Sequence, residues 1–152
     1  MYAEDFVLNR LKIESERVLF LTDYLSDQFF QETSQNPRIP AAAWNPKKEY
    51  NKNFIQKIQE YDQTLLIYPL EGLTTEGIVE KFRSSMLYLD FGNHPGKDRM
   101  PREAAMCGCC VITGKRGAAG IEQGDILIPE EYKFRDEEKE IPKIIEKMHY
   151  IF

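Results

Sequence analysis

Between His94 and Gly114 the chain reads His-Pro-Gly-Lys-Asp-Arg-Met-Pro-Arg-Glu-Ala-Ala-Met-Cys-Gly-Cys-Cys-Val-Ile-Thr-Gly, a charged loop leading without a gap into a short helix and a buried strand. Lys97, Asp98, Arg99 and Arg102 gather where the helix is expected to start, near Pro101, and Glu103 falls in its first turn. A helix start turns unpaired N–H groups and a partial positive charge toward the preceding loop, so cations placed there add to an anion site. Cations for phosphate and a carboxylate for ribose hydroxyls are the chemistry of nucleotide binding.

Two other segments carry matching groups. Trp44-Asn-Pro-Lys-Lys-Glu49 supplies Lys47 and Lys48, suited to neutralising a diphosphate, and Pro69-Leu-Glu-Gly-Leu-Thr-Thr75 contains Thr74 ahead of a helix. Each candidate also has a purely structural reading. Asp98 and Arg102 are spaced for an ion pair within a helix, and Glu103 favours a helix N-terminus whatever it binds. His94, in Gly-Asn-His-Pro-Gly, is either a residue exposed in a turn or a contact to a transferred sugar. Gly114-Lys-Arg-Gly-Ala-Ala-Gly120 lacks phosphate-loop spacing and reads as a flexible connection, with a ligand-contacting loop as the alternative.

The elements that must position these groups alternate. Apolar runs predict strands at Arg17–Thr22, Ala41–Trp44, Thr64–Pro69, Met86–Phe91, Cys110–Thr113 and Asp125–Pro129. Between them, helices are expected from Asp23, over Tyr50–Tyr61, from an N-cap at Thr75 to Ser84, over Pro101–Met106, and over Asp136–Met148 with Pro142 near its start. Alternation of this kind implies an α/β protein with a parallel sheet covered by helices on both faces, and its ligands sit beyond the carboxyl ends of the strands.

In order of elements and motifs the chain resembles the C-terminal, donor-binding half of GT-B glycosyltransferases, especially the retaining enzymes that use nucleotide sugars. The resemblance spans about Ile39 to Pro129. It is carried by Asn45-Pro-Lys-Lys48, by Thr74-Thr-Glu-Gly-Ile-Val-Glu-Lys-Phe82, and by Pro101-Arg-Glu103-Ala-Ala-Met-Cys-Gly108-Cys-Cys-Val-Ile112. It implies a three-layer Rossmann-like domain, half of a GT-B fold, that binds a nucleotide-sugar donor for transfer to an acceptor hydroxyl. Lys47, Lys48, Thr74, Gly96 and Glu103 would hold the donor, with Glu103 on the ribose. His94, Lys97, Arg99 and Arg102 would serve the transfer. The family's first acidic residue falls on Pro95, and Asn45-Pro46 stands where Gly-Arg is usual. No Asp-x-Asp occurs, so an obligatory metal is not indicated; no cofactor is expected, the nucleotide sugar being a substrate.

Length and composition frame this reading. With 152 residues, 42% of them hydrophobic, one domain over 1–152 is expected; the resemblance implies that residues 1–25 correspond to the tail of a preceding acceptor domain. The expected partners are therefore a nucleotide sugar and a separate acceptor-domain chain or a second copy; a non-catalytic binding module or an interaction domain is the alternative. A net charge of -5 argues against nucleic acid. No apolar run approaches the roughly 20 residues of a membrane span, and the N-terminus lacks signal-peptide features, so a cytoplasmic chain is expected. Cys107, Cys109 and Cys110 fit neither a disulfide framework nor a zinc site and read as reduced core residues.

Overall fold

The structure is a computed structural model that describes residues 6–19, 24–31, 37–96, 98–120 and 126–152. Five parallel strands, β1 (Ile39–Trp44), β2 (Leu66–Pro69), β3 (Ser85–Asp90), β4 (Cys110–Gly114) and β5 (Lys133–Phe134), form one sheet in the order β2-β1-β3-β4-β5. Helices α1 (Phe54–Tyr61), α2 (Thr75–Ser84), α3 (Arg99–Met106) and α4 (Ile141–Ile151) cover it, giving a Rossmann-like three-layer α/β fold.

The two faces follow from the period of two along a strand. Ala42, Leu87, Leu89 and Ile112 pack with Phe54, Ile58, Ile144 and Met148 from α1 and α4. Their neighbours Ala43, Tyr88 and Val111 pack with Val79, Phe82 and Ala104 from α2 and α3. Alanines 41 to 43 are wholly buried, and small side chains there let helices approach both faces of the strand.

Arg38 fastens the lower end of the second face. Its guanidinium donates to the carbonyls of Phe82 at 3.0 Å, Ser85 at 2.7 Å and Cys107, ends that helix geometry leaves without partners. Gly108, at φ +87°, closes α3 in the left-handed region, and a Cβ there would sit 2.5 Å from Arg38 Nη2.

Several elements differ from expectation. Ser15–Arg17 is a single 3-10 turn and Val18–Leu19 joins no strand; residues 20–23 lie outside the described part. Where the sequence predicts a helix from Asp23, the described residues 24–31 form a 3-10 turn at Asp27–Phe29, with Phe29 buried on the second face. Residues 126–129 are irregular, Leu127 being 87% exposed, while Asp125 lies outside the described residues. The sheet is instead extended by Lys133–Phe134, whose Phe134 packs in the α1/α4 core. The last helix begins at Ile141, because Asp136 is held in the preceding loop by Arg116 and Asn51. Thr74, not Thr75, caps α2. Among the described residues no helix is long and apolar enough to cross a membrane.

Candidate functional site at the strand-order reversal

From β1 the chain moves outward to β2 and then returns past β1 to β3. The loops leaving β1 and β3 therefore diverge at the carboxyl edge, and ligands of open parallel sheets bind in the crevice this opens. Here the two loops are stitched at its foot: Tyr50 N donates to Phe91 O at 3.2 Å, and Glu49 and Gly92 form an antiparallel bridge. A Cβ at Gly92 would lie 2.9 Å from the Lys48 carbonyl and 3.0 Å from Asp90 Oδ1, so only glycine permits this approach. Glu49 itself caps α1, accepting from Ile55 N at 2.9 Å.

Asp90, the last residue of β3, opens a buried polar chain across the crevice floor. Its carboxylate accepts from Tyr88 Oη at 3.2 Å and from Gly92 N at 3.1 Å. His94 is fully buried, with Nε2 3.5 Å from Asp90 Oδ1 and Nδ1 3.4 Å from Asp98 Oδ2. Neither ring nitrogen has the geometry of a hydrogen bond. Asp98 caps α3, accepting from Met100 N at 3.2 Å, and pairs with Lys48 from the opposite loop. Burial raises the Asp90 carboxyl against the opposing pull of His94. Burial also works to raise Asp98, but the facing His94 and Lys48 prevail and hold its carboxyl well below the usual range.

Gly117 seals His94 from the other side. It adopts φ +55°, a Cβ on it would overlap the His94 carbonyl, and Ala118 N donates to that carbonyl at 2.8 Å. Residues Gly117–Gly120 form a 3-10 turn with Ala118 and Ala119 wholly buried, so this segment is packed against the β3 loop and is no flexible connection.

The other sequence-predicted residues fall around this floor. Arg99 is exposed at the start of α3, which begins two residues before the expected Pro101; Arg102 is half-buried one turn on. Glu103 is half-buried, its carboxyl raised by burial and pulled back by the positive charges of Arg99 and Lys48. Lys47 is exposed, with its backbone N bonded to Asn45 Oδ1 at 3.0 Å. Gly96 lies in the bend after Pro95, and Pro95 is exposed. Lys97 lies outside the described residues. Thr74 stands apart on the loop after β2, where its hydroxyl accepts from Gly77 N at 3.3 Å.

Three placements revise the sequence reading. His94 is not exposed in its turn. Lys48 pairs with Asp98 of the opposite loop, a partner the sequence reading did not assign. Asp90 carries the site and was not singled out; its signal is the spacing Asp90, His94, Asp98, every fourth residue across a strand end and a loop. The cysteines are free, with Cys107 and Cys109 buried and Cys110 half-buried, as a core role requires. No protein-family profile, curated protein or solved structure matches the chain.

Proposed function

We propose that the chain binds the nucleoside diphosphate of a nucleotide sugar in the β1/β3 crevice. The diphosphate lies against Arg99, Arg102 and Lys47, with Lys48 joining when it leaves Asp98, and Glu103 accepts hydrogen bonds from the ribose; Lys97, expected to join them from its place in the sequence, lies outside the described residues. One observation carries the reading: where the strand order reverses, Lys48 from the β1 loop pairs with Asp98, the cap of the helix that bears Arg99, Arg102 and Glu103, on loops that the chain stitches together at that point. In this role the domain presents the donor for transfer to an acceptor hydroxyl, its cations offsetting charge on the departing diphosphate. Gly96 gives the β3 loop close approach to the ligand, whereas Thr74, which caps α2 on the loop after β2, takes no part in this arrangement.

A donor-binding role without turnover is the second reading, favoured by a specific placement. Pro95 occupies the position of an expected acid, and His94 is enclosed, so neither offers a side chain to a sugar. A separate acceptor-binding chain or a second copy then completes the transferase. A cytoplasmic location goes with this role and with three reduced cysteines.

Calorimetry with UDP, GDP and their sugars tests the proposal. One-to-one binding weakened by Arg99→Ala and Glu103→Gln supports it, turnover separates transferase from binding module, and absence of binding by every nucleotide rejects both. Lys48→Ala is a poor probe, since it also breaks the ion pair to Asp98.

A further inference from the structure

We propose that Asp90, His94 and Asp98 form an enclosed site for one divalent transition-metal ion at the foot of the crevice. One atom from each of the three side chains lies within 4.8 Å of the others. Two atoms bound to one ion at about 2.1 Å stand about 3.4 Å apart in a tetrahedral site and never more than about 4.2 Å, so binding draws the cluster together by at least about half an ångström. Imidazole nitrogen with two carboxylate oxygens suits zinc, manganese, iron or cobalt; magnesium and calcium prefer oxygen alone.

Two further observations point to a missing ligand. A buried imidazole flanked by carboxylates should donate to them, yet neither nitrogen of the fully buried His94 does so in hydrogen-bond geometry. Thr113, paired in register with Asp90 on β4 and so on the same face, holds a wholly buried hydroxyl without a partner. Charge agrees with geometry. With His94 neutral, as a ligand must be, the two enclosed carboxylates face Lys48 as the one lysine paired to them among the described residues, and a divalent cation offsets the remaining charge. Such an ion competes with Lys48 for Asp98 and releases the ammonium toward the crevice mouth.

The test is titration of the full chain with Zn2+ and Co2+ in a His149→Gln background, which leaves His94 as the single histidine. The expected result is one ion per chain, a rise in thermal midpoint with Zn2+, and a Co2+ spectrum without sulfur-to-metal charge transfer. Asp90→Asn and His94→Gln, each verified as folded by circular dichroism, should lose binding at least tenfold. Lys48→Met should tighten Zn2+ binding several-fold by removing the competing cation, a result that a merely structural ion pair would not produce. Absence of one-to-one binding, a cysteine-type Co2+ spectrum, or a Lys48→Met variant that binds Zn2+ no more tightly would overturn the proposal. None of these measurements involves a nucleotide, so they stand or fall apart from the donor-binding reading.

Discussion

Lys48 and Asp98, 50 residues apart in sequence, join the loops leaving β1 and β3 through an ion pair that spans the crevice between them. Asp98 simultaneously caps α3, so one carboxylate sets both the crevice width and the helix start. Asp98→Ala removes the cap and leaves Lys48 without its partner. It should destabilise the chain by about 1 to 2 kcal/mol in urea unfolding, whereas Lys47→Ala, at an exposed residue, should change stability by less than about 0.5 kcal/mol.

Gly117→Ala tests the seal over His94. The added Cβ meets backbone, which cannot rotate away, and the positive φ adds strain. Denaturant unfolding should show a loss of about 2 to 4 kcal/mol. Gly72→Ala, with positive φ but open space around it, should cost about 1 kcal/mol.

Arg38→Ala removes the donor that the carbonyls of Phe82, Ser85 and Cys107 share, leaving the weak Cys109 thiol on the first two. A loss of about 3 kcal/mol is expected. Arg38→Lys should recover only part of it, because an ammonium lacks the planar fork.

Asp62 provides the pH test away from the crevice. The Thr64 hydroxyl, the Thr64 amide and His149 lower its carboxyl from the ordinary 3.8 to about 2. A depressed acid stabilises the fold fully above its unfolded value and loses that contribution as pH falls through the folded one. The thermal midpoint of Asp62→Asn should therefore lie below wild type at about pH 5, and the gap should narrow progressively toward about pH 2.

Burial pushes the Cys109 thiol up to about 12 and raises those of Cys107 and Cys110. Since the thiolate is the reactive form, a disulfide reagent at about pH 8 should modify the native chain slowly, beginning with half-buried Cys110. In urea all three should react at once.

How far the sequence disclosed the molecule depended on the range of each signal. Met86–Asp90 and Cys110–Thr113 stand out as continuous apolar runs because both faces of those strands are covered. Lys133–Phe134 leaves no such trace: two residues carry no period, and their place follows from pairing with β4 and packing beneath α4. Asp125–Pro129 misled for the converse reason, since an apolar run with exposed Leu127 has no partner strand among the described residues. The cations and Glu103 were legible as a group from their closeness in sequence. That Lys48 is paired, and that His94 lies between Asp90 and Asp98, was not, because both depend on loops brought together by Gly92 and Gly117.

The most direct test of nucleotide binding at the strand-order reversal is a crystal of this chain soaked with UDP or GDP. The account predicts a ribose within hydrogen-bond distance of Glu103 and a diphosphate beside Arg99 at the start of α3. A nucleotide seated away from the β1/β3 edge, or an open crevice that stays empty at saturating nucleotide, would contradict it.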